Sequence, residues 1–276
     1  MNLLLHCGAK EATWDQLQQV ETPEPTKTHC PIPHHNLYEM VTKVLEGFDF
    51  KITESQHGLT KDGNRYFGLL QLESDHLKDW KPVCGLRNSH DKSISAGLVF
   101  GLSVMVCDNL SFYGDLFQFD RKHTAHINKD LIERVTEIVA KTEQQNARME
   151  HVVNHYKSVK CSDRKAHHIV VKALDAGATL PRRVPQVLEE WRKPRHEEFE
   201  PRNAWSLFNA FTESMKSAGD IGTHVNRTNR LHRVFDTELK TDRYIEEVLL
   251  PKSEEPIEEV PKKNIWGKIN SLFQNN

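Results

Sequence analysis

Asn88, Ser89, His90 and Asp91 put more potential chemistry in one place than any other stretch of the chain. An imidazole beside a carboxylate is the pairing a general base uses, and Asp91 or the later Asp108 would orient His90. Spacing argues against all four acting together. Adjacent residues of an extended chain point to opposite sides, so four in a row cannot converge on one substrate. Asn, Ser and Asp also form turns by bonding nearby backbone. The stretch is therefore read first as a turn, then as a binding element, and last as a catalytic one.

Cations flank it. Arg87, Lys92, Arg121, Lys122 and His123 are candidates for a basic strip, with Tyr66, Phe67, Phe112, Tyr113 and Phe117 close in sequence. Cations that track phosphates, interleaved with aromatics that stack bases, are what single-strand binding needs. The competing reading puts the aromatics in a core and leaves the cations solvated. Arg227, Arg230 and Arg233 recur every third residue, which places them roughly on one side of a helix. Phosphate contact and a plain solvated face both fit that spacing.

Sixteen histidines and five cysteines raise the question of a metal. His6-Cys7, His29-Cys30, His34-His35 and His167-His168 lack the paired spacing of a structural zinc site. Phosphate-loop, dinucleotide, nucleophile-elbow and zincin motifs do not occur in the sequence. No metal or cofactor is expected, and no catalytic residue is assigned.

The elements that must position these residues change character along the chain. Residues 1–33 form an N-terminal segment with a short helix after Thr13, followed by an extended stretch holding Pro23, Pro25, Pro31 and Pro33. Residues 34–160 read as an α+β core. A helix over residues 35–46 precedes alternating Phe48, Phe50 and Ile52, read as a strand, and a turn at Lys61-Asp62-Gly63-Asn64. Further strands are predicted near residues 66–72, 83–88, 96–107 and 112–119, with a bend at Gly114-Asp115, which makes an antiparallel meander. From Asn128, read as a cap, an apolar seam of Leu131, Val135, Ile138, Met149, Val152, Tyr156 and Val159 predicts one long helix packed against the sheet or a partner. Residues 161–250 read as helical: Ser162, Pro185 and Asn203 are helix-start signals, and 237–250 is a last helix. Residues 251–276 read as a flexible linker ending in an amphipathic peptide, with Ile265, Trp266, Ile269 and Phe273 as candidate partner contacts.

The 276 residues carry 37 Lys and Arg against 39 Asp and Glu, a net charge of -2. That excludes a generally basic nucleic-acid coat. Within residues 160–235 the balance reverses, 14 Lys and Arg against 9 Asp and Glu. No stretch reaches the ~18 apolar residues of a membrane span. Five widely spaced cysteines and a start without a basic, long apolar leader point to a reducing cytoplasm.

Asn88-Ser89-His90-Asp91-Lys92-Ser93, an apolar strand, then Val106-Cys107-Asp108-Asn109-Leu110 and Gly114 form a block that resembles the phage/plasmid-like protein family, domain of unknown function 932. The resemblance covers residues 34–160 well and the helical remainder weakly. It implies a mobile-element setting and singles out Asn88, Ser89, His90, Asp91, Cys107, Asp108 and Asn109. It implies no established chemistry. At the level of element order, the helix, hairpins and long helix are similar to the single-strand annealing fold of recombination proteins, and fold does not fix function. Three functions are therefore carried forward. The first is single-stranded DNA binding, with annealing by a homo-oligomer, through Arg87, Lys92, Arg121, Lys122, His123, Arg227 and Arg230. The second is a protein-interaction module, anti-defence or regulatory, acting through the C-terminal peptide. The third is a hydrolase or nuclease centred on His90.

Overall fold

The strand-forming first half closes into one sheet. The computed structural model describes residues 9–73, 80–104, 110–112, 118–123, 127–216 and 221–249. Its strands are β1 (Lys10–Glu11), β2 (Ile52–Leu59), β3 (Arg65–Leu72), β4 (Trp80–Ser89), β5 (Ala96–Val104), β6 (Leu110–Phe112) and β7 (Gln118–Arg121). Each pairs antiparallel with the next in the order β1-β2-β3-β4-β5-β6, so the meander is present. β6 and β7 share the outer edge of β5, at Gly101–Ser103 and Ala96–Val99 respectively. The β2–β3 turn uses Gly63 at φ 71°, and the Asp62 carboxylate accepts from the Thr60 hydroxyl at 2.6 Å and the Asn64 amide at 3.2 Å.

Eight α-helices and a 3-10 turn accompany the sheet among the described residues: α1 (Trp14–Gln18), α2 (His34–Gly47), α3 (Ile127–Ser158), α4 (Asp163–Asp175), a 3-10 turn (Pro181–Arg183), α5 (Val184–Arg192), α6 (Ala204–Met215), α7 (Ile221–Leu239) and α8 (Thr241–Leu249). A further 3-10 turn spans Glu197–Phe199. Side-chain caps explain several starts. Thr13 and Gln16 form a reciprocal capping box on α1, Ser162 caps α4 and Asn203 caps α6.

Three details depart from the sequence reading. Phe48 and Phe50 are not in a strand. Both their amides bond the Leu45 carbonyl, at 3.1 and 3.0 Å, so the chain wraps over the end of α2 and β2 starts only at Ile52. The long helix begins at Ile127, one residue before the expected Asn128 cap. The expected last helix is divided: α7 runs to Leu239, Lys240 adopts φ 56°, and α8 starts at Thr241.

α3 has 32 residues, about 48 Å at roughly 1.5 Å per residue, and joins two cores. Val135 and Ile138 pack with Leu37, Val41 and Val44 of α2 over the sheet face formed by Tyr66, Leu70, Leu86 and Leu98. Met149, Val152 and Tyr156 pack among helices, with Ile169, Trp191, Phe208 and Phe235. α6 is buried along its whole length. On the second sheet face, Phe67, Leu69, Val83 and Val99 meet Val225 of α7. No helix among the described residues is long and apolar enough to cross a membrane.

One glycine is fixed by packing. A Cβ on Gly68 would lie 2.3 Å from the Tyr66 hydroxyl, which is hydrogen-bonded to His57 Nδ1 at 3.0 Å. Gly68→Ala therefore forces the Tyr66 ring away and breaks that bond. The expected loss is about 1–3 kcal/mol of unfolding free energy, read from the urea midpoint.

Candidate functional site

Two groups of polar residues stand out, one inside the fold and one near its surface. The first begins at the end of β4. Residues two apart on a strand share a face, so Asn88 and His90 turn inward toward α2, while Ser89 and Asp91 do not. The other pair builds the loop. The Ser89 hydroxyl donates to the Ile94 carbonyl at 2.7 Å and accepts from the Ile94 amide at 3.2 Å. Asp91 accepts from the Ser93 amide at 2.9 Å and from Arg65 Nε at 3.2 Å.

The inward pair holds the proline-rich segment. Ile32 lies between Pro31 and Pro33, and its carbonyl accepts from Asn88 Nδ2 at 2.8 Å and His90 Nε2 at 3.0 Å. Asn88 Nδ2 also donates to His34 Nδ1 at 2.9 Å, and Asn88 Oδ1 accepts from His123 Nε2 at 2.7 Å. His34 Nε2 then donates to the Gly63 carbonyl at 3.0 Å. Carbonyls only accept, and His34 Nδ1 accepts from Asn88, so the neutral His34 ring carries its proton on Nε2. The rings of His34 and His90 stack at 3.9 Å with 5° between their planes, and His29 lies 5.2 Å from His123. The Cys30 amide adds a backbone bond to the His123 carbonyl at 2.9 Å.

Burial keeps these imidazoles neutral. It pushes His34 down to about 3, with neighbouring His90 adding to the effect, and His123 down to about 4. His29 and His90 are lowered for the same first reason. A general base works best near the ambient pH and within reach of its substrate. His90 is 5% exposed, and its Nε2 proton is committed to Ile32. What the arrangement does is supply hydrogen-bond donors to a segment whose prolines cannot join a ladder. Among the described residues, no three His, Cys, Asp or Glu side chains gather as a metal site.

The candidate cations are scattered. Lys92 and Lys122 are exposed, and Lys92 sits at φ 64° in the loop. Arg87 is half-buried on the second sheet face, paired across β5 with Gly97. Arg121 pairs with Ala96, one row away. His123 is 5% exposed and belongs to the buried cluster, so it is no part of a basic strip. Tyr66 and Phe67 are core residues and offer no stacking surface. Cys107, Asp108, Asn109, the Gly114-Asp115 bend and the peptide with Ile265, Trp266, Ile269 and Phe273 lie outside the described residues.

The second group is four arginines, Arg182 and Arg183 of the Pro181–Arg183 turn and Arg227 and Arg230 of α7, near enough for their charges to act on one another. Arg230 Nη1 reaches the Gly177 carbonyl at 3.4 Å. Gly177 ends α4 at φ 64°, and a Cβ there would lie 2.7 Å from the same nitrogen. Arg183 is buried, and its Nη1 has no hydrogen-bond partner. Burial, then the charges of Arg227 and Arg182, pull the Arg183 pKa below its usual range. Burial, then Arg182 and Arg230, do the same to Arg227. Among the described residues, none of these four guanidinium groups pairs with a carboxylate.

A sequence model for the Domain of unknown function (DUF932) matches residues 25–242, a span that takes in both the histidine cluster and the arginine cluster. The chain belongs to the DUF932 family. Neither the search of curated proteins nor that of solved structures found a match. The DUF932 match extends well beyond residues 34–160, into the helix that carries Arg227 and Arg230. Sequence reasoning missed Arg182 and Arg183 as companions of Arg227, because the two segments are more than forty residues apart in the chain. It also weighed His34 as a metal ligand rather than as a partner of Asn88. The available signal was Pro31-Ile32-Pro33, a carbonyl with no ladder to join.

Proposed function

We propose that this DUF932 protein binds single-stranded DNA through its phosphates, in the mobile-element setting that the resemblance implies, with no catalytic residue required. The observation that carries the reading is the cluster of Arg182, Arg183, Arg227 and Arg230, which no described carboxylate neutralises. Like charges held together repel, and a phosphate backbone relieves that repulsion while releasing its own counterions. The basic surplus of residues 160–235 favours the same part of the chain. Annealing would add the assembly of several copies along one strand. The neutral, committed imidazoles of the first cluster favour binding over hydrolysis.

Charge reversal tests this. Arg227→Glu with Arg230→Glu lowers affinity for a single-stranded oligonucleotide about tenfold or more, with an unchanged circular dichroism spectrum. Arg121→Glu with Lys122→Glu is the comparison arm. Unchanged affinity in both folded double variants contradicts the assignment.

A further inference from the structure

Resting on that reading, we infer that Arg183 is the floor of a seat for a single phosphate group, with Arg182, Arg227 and Arg230 as its walls. Arg183 is 8% exposed, and its Nη1 is buried without a partner. A buried cation is costly unless an anion and hydrogen bonds satisfy it. Arg182 and Arg230 are exposed and Arg227 is half-buried, so the group is open on the side where an anion arrives. The guanidinium fork suits the bidentate geometry of phosphate oxygens. Arg230 is held in place by its bond to Gly177, a position where the positive φ and the missing Cβ are both used. Four residues before Arg183, the buried hydroxyl of Thr179 also lacks a partner. The ligand chemistry is a phosphate monoester or diester, and its source is either a nucleic-acid backbone or a free phosphate compound.

The experiment uses the full chain and sodium pyrophosphate at constant ionic strength, read by thermal shift and calorimetry, beside a single-stranded oligonucleotide. Saturable binding with a rise in Tm is expected. Arg227→Gln with Arg230→Gln abolishes the rise. Arg183→Met is the decisive variant. The seat predicts an unliganded Tm that is unchanged or higher, because an unpaired buried charge is gone, together with at least tenfold weaker pyrophosphate binding. A merely structural Arg183 instead gives a lower Tm with the pyrophosphate response intact, which overturns the seat. Should Arg183→Met fail to fold, Arg183→Lys decides: at least tenfold weaker binding supports the seat, and unchanged binding overturns it. Oligonucleotide binding with no saturable pyrophosphate response overturns the seat and leaves the DNA reading standing. A saturable response without oligonucleotide binding supports the seat, assigns it to a free phosphate compound and overturns the DNA reading.

Discussion

Asn88→Ala destabilises the protein by about 3–5 kcal/mol, the largest effect expected of any single substitution in the first cluster. The side chain makes three hydrogen bonds, to Ile32, His34 and His123, and is fully buried. Truncation leaves the His34 Nδ1 acceptor and the His123 Nε2 donor without partners in the interior. Each such group costs about 1–3 kcal/mol. The carbonyl of Ile32 retains His90. The proline-rich segment is thereby released on one side, and proteolysis within residues 21–33 should accelerate along with the fall in urea midpoint. A loss below about 1 kcal/mol would mean that the amide is solvated and the network is not structural.

Acid has the second large effect. In the folded state burial holds His34 and His232 near 3 and His123 near 4, against 6.5 for an unhindered imidazole. Folded values that lie below the unfolded value mean that the unfolded chain takes up protons first. The contribution is fully present above pH 6.5, falls as pH drops below it, and levels off only near the folded values of 3 to 4. Each of the three histidines costs about 1.4 kcal/mol per pH unit in that window, so roughly 6 kcal/mol is lost by pH 5 as an upper estimate. Asp236 opposes this in part, because burial raises its carboxyl and the folded state gains that proton first. Total stabilities are about 5–15 kcal/mol, so a large share of the stability is expected to be lost by pH 5. Urea midpoints measured from pH 7.5 to 4.5 should fall steeply below 6.5. A flat profile would contradict neutral burial of these rings.

How much of this was legible beforehand differs between the two halves. Local signals were sufficient for the meander and the helix starts. Gly63 and Asp62 mark a turn by themselves, and Thr13, Ser162 and Asn203 cap helices through bonds to residues three positions on. The seam from Val135 to Tyr156 predicts a long helix, but it does not reveal that Val135 and Tyr156 enter different cores. Alternation at Phe48 and Phe50 imitates a strand, because two aromatics wrapped over a helix end have the same spacing as two on a pleat. For the sites the limit is distance along the chain. Strand alternation correctly separates Asn88 and His90 from Ser89 and Asp91. It gives no hint that the inward pair faces His34 and His123. The spacing of the arginines on α7 was visible, and the two arginines that join Arg227 and Arg230 in a cluster were not.

The most direct test of nucleic-acid binding is the affinity for a labelled single-stranded oligonucleotide across a salt series, with the duplex as control. An arginine cluster on the phosphate backbone predicts binding at low salt. The logarithm of affinity should fall linearly against that of salt, by roughly -0.7 for each phosphate contacted on a single strand. No binding at low salt, or binding indifferent to salt, would contradict the proposal.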